Sequence, residues 1–457
     1  APPMSRLSAR GVGATVLAAL FLTPSVTLLF ALAVVPVSWL FLAAVPLALG
    51  VALVIHPVAV TSGWWRRGIP VRALGWVALS FVVLTVAAAV ISVVPAWAGF
   101  LVVVASGLFN ARAWVGMVGV VVEPRHPERV RPAVPIALAV MAAIVAVGSV
   151  NGFTHVNPRD TPGAELSYRP PTPGQRVVLV VSGYGSHWNG GSRHPVPGPF
   201  FEQQFSYRGL GPRGRPLSYA SGDTVQPLAE LDAKMAAQVA VLHHDSGRDV
   251  DIVAESEGAL VAKTYLVSHP SPPVATAVLA SPLLGPGRVS YPVGTSQRGF
   301  GWPSAYAMQL LGSLYKSVAP IDLSPDSAFL KSVDQLAPLL KNVLSCPTPG
   351  IREFALLPLA DATAAPARTT LPFPSVVVPA FHGGLVGSPS TGGTIAAALE
   401  GRNPAPSGVL RDVDSVVSAS ASAWQVPALP LSDYARAAPG GGALAPSCRA
   451  LAVALRT

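Results

Sequence analysis

The sequence has little cysteine and little charge. Its two cysteines, Cys346 and Cys448, stand outside any CxxC or Cys/His cluster, which excludes a zinc or thiol-redox motif. No metal or other cofactor is called for. Charged residues are 12% of the chain, low for a soluble protein, against a hydrophobic fraction of 51%. The net charge is +9, yet no Lys/Arg cluster is interleaved with aromatics. That absence excludes a nucleic-acid reading and assigns the basic balance to membrane topology and surface charge.

The apolar residues are unevenly spread. Residues 1–150 hold nearly all the long apolar runs, and the remainder reads as a soluble α/β domain. A bilayer span takes roughly 20 residues. The runs fit about five spans, near 12–33, 37–57, 73–94, 98–121 and 132–150. Pro24 and Pro46 fall inside the first two, which transmembrane helices tolerate. Arg6, Arg10, Arg66, Arg67, Arg72, Arg125, Arg129 and Arg131 fall before the first span, between the second and third, or between the fourth and fifth. By the positive-inside pattern the N-terminus is cytoplasmic and the C-terminal domain extracytoplasmic, on a multi-pass protein of the cell membrane. Ala31-Leu32-Ala33 is like a signal-peptide cleavage site, but the apolar core outruns the usual ~7–15 residues, so an uncleaved helix is expected. Arg112 lies within the fourth span. It is either an intramembrane functional arginine or, as favoured, part of an interfacial stretch anchored by Trp114.

Residues 151–175, rich in Pro, Gly, Asn and Thr, read as a linker. Arg176–Val181 then reads as a buried parallel strand running into Ser182-Gly183-Tyr184-Gly185-Ser186. Glu202–Leu210 can form another strand. Asp223–Leu242 has Leu228, Leu231, Met235, Val239 and Leu242 at helical spacing, with Asp223 or Thr224 as a cap. His243 and His244 suit that helix's C-terminus rather than a metal. Next, the β-branched run Val250–Val253 leads to Ala254-Glu255-Ser256-Glu257-Gly258 and the apolar run Ala259–Ala262. A serine on a tight strand-to-helix turn needs small neighbours, because bulk would strike the adjacent strand and helix.

Ala254-Glu255-Ser256-Glu257-Gly258 resembles the nucleophile elbow of the α/β-hydrolase superfamily, especially its lipase and esterase branches. Alanine replaces the usual first glycine. The resemblance covers roughly residues 175–400 and implies a doubly wound α/β domain over 176–400, with a helical cap near 283–345. It implies Ser256 as nucleophile, with oxyanion donors from the backbone N–H of Glu257 and of Tyr184 or Gly185. Further strands are expected at Val274–Ala280, Arg352–Ala360 and Ser375–Pro379, and a closing helix at Ile395–Leu399. The family's positions for the triad acid and base fall on Asp361 and His382, in the expected order Ser…Asp…His. Asp412, Asp414 and Asp433 are rival acids but follow His382. Glu255 and Glu257 flank the serine too closely to serve, and are expected to make the pocket rim negative. Residues 401–457 read as a low-complexity, loosely ordered tail. Outside the cytoplasm, Cys346 and Cys448 can pair.

The reading is a membrane-anchored serine ester hydrolase acting on a lipid or other acyl ester through an acyl-serine. Membrane lipids are its surroundings, and its oligomeric state is open. An acyltransferase using the same triad and a catalytically inactive transport or assembly module are the alternatives. The intact Ser, Asp and His oppose the last.

Overall fold

The computed structural model describes residues 69–91, 96–122, 129–130, 170–190, 196–282, 327–340, 343–358, 371–378, 384–403, 408–412 and 444–456. By internal packing the chain divides into two units, the first including Trp39–Ser149 and the second Val150–Ser418 and Ala428–Thr457.

In the first unit a short antiparallel pair joins β1 (Ile69–Pro70) to β2 (Arg129–Val130). Between them lie helices α1 (Val71–Ile91) and α2 (Ala96–Val122), of 21 and 27 residues. They form an antiparallel hairpin. Ser80 donates to Asn110 Oδ1 at 2.5 Å, and a Cβ on Gly116 would lie 2.7 Å from the Trp76 indole, so glycine is what lets the two helices approach there. Leu79, Val82 and Val86 on α1 and Trp97, Phe100 and Leu108 on α2 are exposed. Helix α2 runs unbroken through Arg112, which is also exposed. Among the described residues no helix is long and apolar enough to cross a membrane. The first two expected spans and the fifth lie wholly outside the described residues.

The second unit holds six strands: β3 (Val177–Val181), β4 (Phe201–Gln204), β5 (Val250–Glu255), β6 (Val274–Ala280), β7 (Arg352–Pro358) and β8 (Ser375–Val378). Every pairing is parallel, in the order β4-β3-β5-β6-β7-β8. Strands β3 and β5 are buried along their whole length, as apolar, β-branched runs covered on both faces must be. Alternate residues feed two cores. Val177, Leu179, Val181, Ile252 and Leu279 pack against α3 (Leu228–Ser246) and α4 (Glu257–Ser268). Val178, Val180, Val253, Val278 and Leu356 pack with Ile395 and Leu399 of a helix, Pro389–Leu399, on the other face. The domain is thus a three-layer parallel α/β sheet.

Several local expectations differ. The expected strand Glu202–Leu210 is only Phe201–Gln204. Phe205 and Tyr207 beyond it are buried in a loop, edge to face at 5.0 Å. Helix α3 starts at Leu228, not near Asp223, because Ser221–Thr224 forms a separate 3-10 turn closed by Ala220 N–H on Asp223 Oδ2. Helix α3 ends where Gly247 adopts φ 66° and returns its N–H to His243 O. His243 Nδ1 lies 2.9 Å from Arg248 O, a capping contact. The described part of the expected cap, helices α5 (Ala328–Gln335) and α6 (Ala337–Leu340) and the turn Val343–Ser345, packs into the main core through Phe329, Val333, Leu340 and Leu344. Labelled in order, Pro389–Leu399 is α7. The tail is not loosely ordered throughout: α8 (Leu444–Ala454) buries Cys448 and Leu451, with Leu455 just beyond it, and packs on α4. Cys448 is bonded to Cys346.

Candidate functional site

The chain leaves β3 outward to β4, then returns past β3 to form β5. The connections after β3 and β5 therefore diverge, opening a crevice at the carboxyl ends of these neighbouring strands. Both candidate loops leave from there. Val181 is in register with Ala254, so Ser182-Gly183-Tyr184-Gly185 and Ser256 emerge side by side.

Ser256 sits between β5 and α4 at φ 57°, ψ −118°, a left-handed backbone that a non-glycine residue adopts only under strain. Its N–H donates to Ala280 O at 2.9 Å. The small neighbours have a measurable cause. A Cβ on Gly258 would lie 2.6 Å from Val181 O and 2.7 Å from Ser182 O, and one on Gly183 would lie 3.1 Å from Ser256 Cβ. Turn and loop therefore touch backbone to backbone. Glu257 is the first residue of α4, where a backbone N–H has no intrahelical acceptor.

The loop after β3 is held from below. Tyr207 Oη donates to Ser182 O at 2.5 Å, and Gln204 Nε2 to Ser182 Oγ at 2.9 Å. The Tyr184 ring meets Phe329 at 5.7 Å between centroids. Gly185 departs from its expected role. Its N–H donates to Thr224 Oγ1 at 2.9 Å, and the Thr224 hydroxyl donates to Ser221 O. In this arrangement Gly185 fastens the loop. Tyr207 and Gln204 have no role in the sequence reading and Thr224 only that of a helix cap; their partners in this loop lie 22 or more positions away.

The flanking glutamates do not form a negative rim. Glu257 is 1% exposed and Glu255 6%. Burial pushes the Glu257 carboxyl well above the usual carboxylate range, and neither of its oxygens has a hydrogen-bond partner among the described residues. Burial, then the nearby Glu257 charge and Tyr219, push the Tyr207 phenol well up. Glu255 Oε1 accepts the Leu385 N–H at 2.7 Å in a buried hydrogen bond.

Asp361 and His382 lie outside the described residues. Connectivity still bounds them. Asp361 follows Pro358, the last residue of β7, by three positions, and His382 follows Val378 of β8 by four. Strands β7 and β8 end at the same carboxyl edge of the sheet as β5. Among the described residues no cluster of His, Cys, Asp and Glu could hold a metal ion.

No family model matches the chain, and no curated protein matches it. Among solved structures the chain is similar to an esterase from Rhodococcus sp. ECU1013. The two are 14% identical over 53% of this chain and 97% of that one, with a TM-score of 0.24. A likeness that distant carries no argument about activity.

Proposed function

We propose that the second unit is a serine ester hydrolase acting on a lipid or other acyl ester through an acyl-serine. One observation carries the reading. A serine under left-handed strain lies at the crevice between adjacent parallel strands, with a glycine loop pressed against it. Ser256 Oγ attacks the ester carbonyl while His382 takes its proton and then delivers it to the leaving alcohol. Asp361 holds the imidazole tautomer. The Glu257 N–H, with Tyr184 N–H, donates to the oxyanion. Water repeats the sequence on the acyl-serine and releases the acid.

The same proposal anchors this unit to the cell membrane through the N-terminal half, with the hydrolase extracytoplasmic. Its support is composition: the 21- and 27-residue helices hold one arginine each as their only charged residue, and Leu79, Val82, Trp97, Phe100 and Leu108 on them are exposed. The arginine pattern sets the direction.

The test uses full-length protein in detergent micelles, with nitrophenyl esters of graded acyl length and a fluorophosphonate probe. Wild type is expected to label and turn over, and Ser256→Ala and His382→Ala to lose both while staying folded. Equal activity in the variants, or folded wild type that does not label, overturns the reading. Product analysis with added alcohols identifies acyl transfer if the acyl group leaves on the alcohol.

A further inference from the structure

We infer that Glu255 is a positioning residue for the general base, holding the segment that carries His382 through the backbone of Leu385. The inference rests on the serine-hydrolase reading above. Glu255 immediately precedes the nucleophile, and its buried carboxylate accepts the Leu385 N–H at 2.7 Å across 130 positions of sequence. Leu385 is fixed elsewhere too. Its carbonyl accepts the Thr391 hydroxyl from the first turn of α7, and its side chain is fully buried in the core on that face of the sheet. His382 precedes it by three residues. Consecutive Cα atoms are about 3.8 Å apart, so the His382 Cα lies within about 11 Å of the Leu385 Cα. Residue 255 therefore ties the nucleophile turn by a hydrogen bond to the chain three residues past His382.

The chemistry makes that tie consequential. A general base works within about 2.6–3.2 Å of the hydroxyl it deprotonates. A misplacement of about 1 Å can lower a rate up to ~100-fold. Strand β5 is otherwise made of small and apolar residues apart from Asp251, so a carboxylate at its end, buried beside the nucleophile, stands out; the Leu385 N–H gives it a hydrogen bond there.

Two substitutions separate holding from charge. Glu255→Gln removes the charge but keeps an oxygen acceptor at the same reach. Glu255→Asp keeps the charge but withdraws it by roughly 1.5 Å, one C–C bond, beyond hydrogen-bond distance of Leu385. Glu255→Gln is expected to retain kcat within about threefold, and Glu255→Asp to lose about tenfold or more in kcat with KM within about twofold. The fluorophosphonate labelling rate of Ser256 is expected to fall with kcat. Equal kcat in the two variants, or the reverse order, overturns the inference. If Glu255→Asp does not fold, Thr391→Val, which frees Leu385 from its other side, takes its place; unchanged kcat there overturns it equally. Failure of the underlying reading looks different: Ser256→Ala would then keep wild-type turnover.

Discussion

Replacing Gly258 by alanine tests the contact on which the site's geometry depends. The added Cβ would lie 2.6 Å from Val181 O and 2.7 Å from Ser182 O, where ordinary contact begins at 3.4 Å. Helix α4 and β3 must then part by about 0.8 Å. Neither carbonyl can yield freely. Val181 belongs to a strand paired on both sides, and Ser182 O is held by the Tyr207 hydroxyl at 2.5 Å. Overpacking of this kind destabilises by about 1–3 kcal/mol. For a domain of this size that lowers Tm by roughly 2–4 °C per kcal/mol. The larger effect falls on chemistry, because the forced movement separates Ser256 from the Gly183–Tyr184 backbone. Fluorophosphonate labelling of Ser256 is expected to slow by about 10- to 100-fold. Gly247→Ala is the control. Gly247 has φ 66° and nothing within 4 Å of an added Cβ, so that variant bears only backbone strain of about 1 kcal/mol and labels at the wild-type rate. If Gly258→Ala labels at the wild-type rate and melts no lower than Gly247→Ala, the backbone contact between the turn and the loop is not real.

Two further outcomes are expected. Burial raises the Glu257 pKa in the folded state, so its protonated form contributes stability that is present below the unfolded value of about 4.3 and is lost as pH rises toward the folded value. The Tm advantage of Glu257→Gln over wild type should therefore grow as pH rises from 4 to 8, and a constant difference refutes the argument. The Cys346–Cys448 bond spans 102 positions and fastens α8, which Leu451 and Leu455 also anchor. Replacing both cysteines by serine should destabilise by about 2–4 kcal/mol and expose α8 to limited proteolysis, while Ser256 still labels. Identical melting and digestion of the two forms would show that the bond contributes nothing.

What the sequence disclosed, and what it hid, follows from physical range. Strands β3 and β6 are apolar over nearly every position, and β5 and β7 over most, because helices cover both faces, and such runs are visible without any partner. The strand-to-helix turn at Ser256 was legible because Gly258 in it answers to the backbone of the adjacent strand β3. Helix α8 was hidden by its Ala, Pro and Ser content, although Cys448, Leu451, Ala452 and Leu455 recur at helical spacing and are all buried. The true places of Glu255 and Gly185 were not legible at all. Their polarity read as exposure and as donor capacity, whereas a backbone N–H at 385 and a hydroxyl at 224 claim them. Nothing local in sequence encodes a partner 39 or 130 positions away.

The sheet order poses a distance problem for any triad built on this domain. Neighbouring strands lie about 4.8 Å apart, so β7 and β8 stand roughly 10 and 14 Å from β5. Asp361 and His382 leave those strands by three and four residues, a reach of about 10–14 Å when extended. For the proposed triad to form, both segments have to turn back across the carboxyl edge, over β6. For the segment after β8 that return is observed at one point: Leu385, seven residues beyond Val378, rests its N–H on the side chain of Glu255 at the end of β5. His382 lies on the chain between these two fixed points. The proposed triad needs the imidazole on the Ser256 side of that crossing, and a histidine found on the outer side of β8 would overturn it.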